Sequence, residues 1–178
     1  DKRRGTAKKQ SSGYISGKLL SLLKNGASIN TVTGTDLSSK SETEIKSYYS
    51  NILNNGLHGL CFSPYVEGQD TGDILSETQI RRRLEVIAPH TQWIRSFSCT
   101  EGNELIPEIS KQKGLKNLVG AWISNDKERN EREIKSLIQL AKSGLVDIAA
   151  VGNEVLHRDE ISEQELLQYM KSVREALP

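Results

Sequence analysis

Four short apolar stretches alternate with amphipathic stretches along the second part of the chain. The apolar stretches span residues 57–62, 91–97, 115–123 and 145–151. Each is followed by a loop and then by apolar residues at helical spacing, so the unit recurs at intervals of roughly 25 to 35 residues. Alternating short strands and amphipathic helices predict a parallel sheet with helices packed on it.

The predicted helices are recognised by their capping residues and by apolar spacing. Ser76 with Gln79 and Ser162 with Glu165 have the spacing of a capping box, which opens a helix. A further helix is predicted to begin at Ser41 and precedes the first strand. The apolar side chains that we expect to face inward from the last three long helices are Ile80, Leu84, Ile87, Ile134, Leu137, Ile138, Ala141, Leu166, Met170, Val173 and Leu177.

A parallel sheet of this kind either stays open and doubly wound or closes into a barrel. An open nucleotide-binding sheet carries a glycine-rich turn after its first strand, whereas residues 63–70 read Ser-Pro-Tyr-Val-Glu-Gly-Gln-Asp. The pattern therefore favours the barrel. A complete eight-unit barrel needs about 250 residues. We accordingly expect an α/β fold of the (β/α)8 TIM-barrel type, with only the first four βα units present in these 178 residues.

The charge balance and the polar start of the chain limit the partners. A formal net charge of +1 predicts neither a nucleic-acid binder nor a membrane-surface binder. We expect residues 1–40 to form a polar N-terminal segment, disordered in part, and residues 41–178 to form the barrel portion. The basic residues near the start are interpreted as a solvated tail; they are Lys2, Arg3, Arg4, Lys8 and Lys9.

The sequence carries no pattern that predicts a metal site or a membrane span. Cys61 and Cys99 are too far apart, with three histidines in the chain, to form a metal-ligand set, and we expect both to be free buried thiols. No apolar run of about 18 residues and no signal peptide is visible. No cofactor is implied.

The residues after the fourth apolar stretch are the first candidates for chemistry. In a (β/α) barrel the residues just past each strand converge on one mouth. Here they are Gly152, Asn153 and Glu154. A carboxylate placed here can be partly desolvated, which brings it toward what a general acid needs, and the amide of Asn153 can hydrogen-bond a sugar hydroxyl. On these residues alone, a solvated loop carboxylate remains the alternative.

Four stretches of the sequence carry a resemblance to a known family. Residues 147–156 (Asp-Ile-Ala-Ala-Val-Gly-Asn-Glu-Val-Leu) resemble the fourth-strand signature of glycoside hydrolase family 17, the β-1,3-glucanase family. Residues 59–65 (Gly-Leu-Cys-Phe-Ser-Pro-Tyr), 93–97 (Trp-Ile-Arg-Ser-Phe) and 120–124 (Gly-Ala-Trp-Ile-Ser) are similar, in order, to the first three strands of its bacterial branch. The resemblance covers about residues 57–178.

The resemblance implies retaining cleavage of a β-glucan, preferably a β-1,3-glucan. One carboxylic acid protonates the leaving oxygen, and a second carboxylate roughly 5 Å away forms a glycosyl-enzyme intermediate. By this resemblance Glu154 is the acid/base and Asn153 holds the sugar. The family's nucleophile follows the seventh strand, so we expect the chain to be the N-terminal half of a longer enzyme and inactive alone. No substitute stands out among the loop carboxylates Glu67, Asp70, Asp73, Glu101 and Asp126.

Five more residues are candidate contributors to substrate binding. Phe62 and Phe97 stand where many members of that family carry tyrosine, and they either stack on a sugar ring or pack in the core. Tyr65 and Trp122 follow the ends of the first and third strands, where they could form a stacking platform. Arg95 lies within the second strand, and we expect it to pair with a carboxylate inside the barrel.

Two alternatives to hydrolysis stay open at this point. A transglycosylase would use the same acid/base and pass the glycosyl group to another sugar. A non-catalytic carbohydrate-binding or assembly module would need no second carboxylate, and an exposed half barrel could self-associate. The expected partner is a β-glucan, which favours an extracytoplasmic location.

Overall fold

A computed structural model describes residues 37–177 of the chain. The chain divides after Ile45, and the sheet lies wholly in the unit that begins at Lys46. Most of the segment predicted for residues 1–40, including its basic cluster, lies outside the described residues. No helix in the described part of the chain is long and apolar enough to cross a membrane.

Four parallel strands form one sheet in which the spatial order follows the chain. The strands are β1 (Leu57–Cys61), β2 (Thr91–Ser96), β3 (Lys116–Ala121) and β4 (Ile148–Val151). Their order is β1-β2-β3-β4, and each neighbouring pair is parallel. The predicted parallel sheet is confirmed, and each strand is shorter than predicted.

Five α-helices accompany the sheet in the described residues. They are α1 (Glu42–Asn55), α2 (Glu77–Ile87), α3 (Ile106–Gln112), α4 (Lys127–Lys142) and α5 (Glu163–Ala176). A short 3-10 turn at Asn103–Leu105 leads directly into α3.

One of the two predicted capping boxes is complete. At α5, Glu165 N–H donates to Ser162 Oγ (3.3 Å), and Ser162 N–H donates back to Glu165 Oε2 (3.0 Å). At α2, Gln79 N–H donates to Ser76 Oγ (3.2 Å), but the Gln79 side chain donates instead to the Pro64 carbonyl (2.8 Å). The reciprocal half of that box is wrong, because the loop after β1 folds back over α2 and presents this carbonyl.

Helices α2 to α5 cover one face of the sheet. Ile94 of β2 and Val119 and Ala121 of β3 are buried against helix side chains. The helical members of this core include Ile80 and Leu84 of α2, Ile106 and Ile109 of α3, Ile134 and Leu137 of α4 and Val173 of α5. Met170 was predicted to face inward and is 47 % exposed, because Val173 supplies the buried contact of α5.

The other face of the sheet is only partly covered by the described residues. A shallow groove of about 270 Å³ runs along it, lined by Gly59, Cys61, Trp93, Arg95, Leu118 and Ile148 among others. Ile148 is 48 % exposed. Parallel sheets are normally covered on both faces, so this groove is a surface that the described residues leave open.

The two cysteines occupy different environments, and both are free. Cys99 is buried and its Sγ–H donates to the Gly120 carbonyl (3.3 Å), and burial raises the pKa of its thiol. Cys61 is exposed, because it lies on the open face of the sheet. The expectation of two buried thiols is therefore wrong for Cys61.

The loop after β1 packs closely against the loop after β2 at Gly102. Leu75 N–H donates to the Glu101 carbonyl (2.9 Å), and Gly102 has a φ of +90°. A Cβ at Gly102 would lie 2.3 Å from the Leu75 carbonyl oxygen. The close approach of the two loops therefore requires glycine here.

Substitution of Gly102 by alanine should destabilise the domain more than the same change at Gly68. Both glycines have positive φ, +90° and +84°, but a Cβ at Gly68 would meet no atom within 4 Å. Gly68→Ala should cost about 1 kcal/mol for the left-handed backbone alone. Gly102→Ala should cost about 1 to 3 kcal/mol more, because the loops must separate. Urea unfolding of both variants measures the difference, and equal costs would show that the two loops do not pack as described.

Candidate active site

A cleft of about 460 Å³ opens where the loops after the strands meet. Its lining includes five of the seven residues predicted from the sequence to form the site: Phe62, Tyr65, Phe97, Trp122 and Asn153. They come from positions just after all four strands. The carboxyl ends of parallel strands meet at one edge of a sheet, and this brings together residues that are far apart in the sequence.

The aromatic side chains of the cleft differ in how deeply they are buried and in what they contact. Phe62 is 5 % exposed and belongs to the core cluster packed on α2 and α3, although it also reaches the cleft. Tyr65 is half-buried, and its hydroxyl oxygen accepts from Asn103 Nδ2 (3.4 Å). Phe97 and Trp122 are half-buried and each lies beneath an arginine. The cleft thus combines apolar ring surface with polar edges.

Arg95 contacts the amide of Asn153 rather than a carboxylate. Its Nη2 donates to Asn153 Oδ1 (2.9 Å), and its guanidinium lies 4.8 Å from the centre of the Phe97 ring. The predicted carboxylate partner is wrong for the described residues, because the turn after β4 presents Asn153 to β2. The Nε atom of Arg95 is buried without a hydrogen-bond partner among these residues.

Glu154 lies beside the cleft but does not line it. Its side chain is exposed and borders a small pocket with Val155 and Leu166 on the other side of the turn. The expected partial desolvation is therefore not provided by the described residues. β4 is the last strand of the sheet within residues 37–177, so no further strand among these residues covers that side of the turn. Gly152, directly after β4, has a φ of +80°, a backbone conformation that favours glycine.

A buried carboxylate that sequence reasoning missed supports two walls of the cleft. Glu133 of α4 is 0 % exposed. It accepts from Ser98 Oγ (2.5 Å), Thr100 Oγ1 (2.7 Å), Cys99 N–H (2.7 Å) and Trp122 N–H (3.2 Å). A signal was present in the sequence, since Glu133 precedes Leu137 by four positions and therefore falls on the apolar face of its helix.

The charged residues around the cleft include an ion pair and a helix cap. Arg129, in the lining, pairs with Glu101 (2.9 Å), and Asp126 caps α4 through Arg129 N–H (3.0 Å). Of the five loop carboxylates considered as substitute nucleophiles, Asp70 is the one that lines the cleft. No group of three or more His, Cys, Asp or Glu side chains within residues 37–177 is arranged to hold a metal ion.

Comparison with known proteins gives one family. A family model described as the BtgE/BtgC glycoside hydrolase domain matches residues 59–178, which is more than half of the chain. The matched region contains all seven residues predicted to form the site. No curated protein and no solved structure matches the chain.

Removal of the Glu133 carboxylate should strongly destabilise the fold. Glu133→Ala would leave the backbone N–H groups of Cys99 and Trp122 and two hydroxyls without their acceptor, which should cost about 3 to 5 kcal/mol. Glu131 lies on the same helix and is exposed, so Glu131→Ala should change stability by less than about 0.5 kcal/mol. Chemical unfolding of both variants tests this. Equal stabilities would mean that the carboxylate does not hold the loops.

Proposed function

We propose a function that starts from one finding: this chain belongs to the BtgE/BtgC glycoside hydrolase domain family. The proposed substrate is a β-glucan, specifically a β-1,3-glucan. The proposed mechanism is retaining double displacement. The observation that carries the proposal is the cleft lined by Phe62, Tyr65, Phe97 and Trp122, which reaches Asn153, the neighbour of Glu154. We further propose that the domain falls in glycoside hydrolase family 17, on the four strand motifs described above.

The chemistry of the cleft suits a chain of sugar rings. The apolar faces of pyranose rings stack on aromatic side chains, while hydroxyl groups need hydrogen-bond donors and acceptors at the edges. Asn103, Gln69 and Asp70 supply such groups in the lining. A volume of about 460 Å³ is within the range of small-ligand sites.

We assign Glu154 as the general acid/base and Asn153 as the residue that bonds the sugar hydroxyl beside the reacting carbon. Arg95 supports this assignment for Asn153, because its hydrogen bond to Oδ1 orients the amide and leaves the NH₂ group as the donor toward the cleft. The side chain of Glu154 is exposed and follows directly after Asn153, which lines the cleft.

The proposed architecture is the first half of a (β/α) barrel over residues 41–178, with the nucleophile supplied from outside these four units. Two features support it. The strands follow one another in chain order without the reversal of a doubly wound sheet, and helices α2 to α5 pack on one face. The open face with Ile148 exposed is the surface that further strands, or a second half barrel, would cover.

A carbohydrate-binding module without chemistry is the second candidate. One observation favours it: Glu154 is exposed and does not line the cleft, whereas the aromatic residues do. A transglycosylase shares every residue of the leading proposal, and its products from laminari-oligosaccharides would be longer than the substrates rather than shorter.

Replacement of Glu154 by glutamine in the full-length protein should abolish most turnover and leave substrate binding intact. An amide of the same size cannot donate a proton to the leaving oxygen, so kcat on a laminari-oligosaccharide should fall by about 10²- to 10⁴-fold. Asp70→Asn is the matched control, because Asp70 lines the cleft but is assigned no proton transfer. It should change kcat by less than about 10-fold.

The outcomes separate the two candidates. If the wild-type protein binds the oligosaccharide but never cleaves or transfers it, the module is correct and the hydrolase is not. If Glu154→Gln keeps wild-type kcat, another residue is the acid/base.

A further inference from the structure

Arg158 joins the ends of β3 and β4. Its Nη2 donates to the carbonyl of Ile123 (3.0 Å), just past β3, and its Nη1 donates to the carbonyl of Asn153, just past β4. Its backbone N–H donates to the carbonyl of Glu154 (3.0 Å). Three bonds from one residue therefore tie the turn that carries Glu154 to the backbone just past β3.

The same guanidinium lies over Trp122. Its Cζ is 4.5 Å from the centre of the indole ring, and Arg158 is not part of the cleft lining, whereas Trp122 is. The arginine therefore contacts the indole from outside the cleft. One side chain thus contacts both a wall of the cleft and the turn that bears the proposed acid/base.

Glu160 holds Arg158 in this position. Its Oε2 accepts from Nη2 at 2.7 Å, and both side chains are about three-quarters buried, with 24 % and 25 % exposed. The hydrogen bond to Glu160 raises the pKa of Arg158.

The backbone of the turn that carries Glu154 is strained at two positions. Glu154 and Asp159 adopt positive φ values of +54° and +52°, although neither is glycine. Such a turn keeps its shape only where contacts impose it.

We propose that Arg158 is a positioning residue for the glycosidase reaction, which clamps the Glu154 turn to the Trp122 wall of the cleft. The inference rests on the proposed function of Glu154. The planar fork of arginine is required because its two terminal nitrogens reach two carbonyls while its face covers the indole ring, and lysine offers neither geometry.

The test uses two substrates that differ in their need for the acid. A laminari-oligosaccharide has a poor leaving group that must be protonated, and a dinitrophenyl β-glucoside has a good one that needs little acid help. For Arg158→Lys in the full-length protein, kcat/KM should fall by about 10- to 100-fold on the oligosaccharide, since small displacements of a catalytic group cost about that much. On the dinitrophenyl substrate the loss should stay below about 3-fold.

Two further variants keep the test decisive. Glu160→Gln leaves the arginine in place and removes the negative charge of its partner but not the acceptor oxygen, and it should show the same contrast between the two substrates with a smaller loss. Arg82→Lys on the exposed surface of α2 should leave both rates unchanged. Two results would overturn a positioning role. In the first, kcat/KM of Arg158→Lys and of Glu160→Gln falls equally on both substrates, as a general loss of folding or binding would cause. In the second, kcat/KM of both variants stays unchanged on both substrates.

Parallel measurement of Glu154→Gln separates this inference from the function on which it depends. If Glu154→Gln shows the contrast between substrates and Arg158→Lys does not, Arg158 is not the positioning residue and the function stands. If Glu154→Gln also lacks the contrast, the assignment of the acid itself fails.

Discussion

The position of two walls of the cleft depends on the hydrogen bonds that the buried carboxylate of Glu133 accepts. Burying a charge is unfavourable unless hydrogen bonds replace its hydration. Here four donors do so, three from the loop after β2 and one from the end of β3. Because α4 carries the carboxylate, the helix ties these two segments together from behind. Ser98 and Trp122, which donate to it, also form part of the cleft lining.

Two arginines extend this support to the turn after β4. Arg95 reaches from β2 to the Asn153 side chain, and Arg158 reaches the Asn153 carbonyl and the end of β3. Each guanidinium also covers an aromatic ring of the cleft, Phe97 in one case and Trp122 in the other. The aromatic surface and the turn that carries Glu154 are therefore held by the same polar groups.

The order of strands and helices could be predicted from the sequence, because it depends on the local spacing of apolar residues. Apolar runs, capping residues and turn glycines each depend on a few neighbouring positions, and the four strands and the complete box at Ser162 follow from them. The convergence of Phe62, Tyr65, Trp122 and Asn153 on one cleft was also accessible, since parallel strands place their carboxyl ends at one edge. The remaining errors concern burial and contacts that other segments of the chain decide, including pairs of residues that are distant in sequence.

Such pairs were decided by tertiary structure. The Gln79 side chain donates to the Pro64 carbonyl of the loop after β1 instead of accepting at the start of its own helix. Arg95 donates to the amide of Asn153 instead of to a carboxylate. In both cases the partner belongs to another segment of the chain. The exposure of Glu154 depends on what lies next to β4. The sequence by itself thus determined a parallel α/β sheet and which residues stand at the edge where its strands end, because periodicity and strand direction are local properties. Only the tertiary structure decided which side chain each of them contacts, because hydrogen bonding and burial depend on the three-dimensional neighbours that folding supplies.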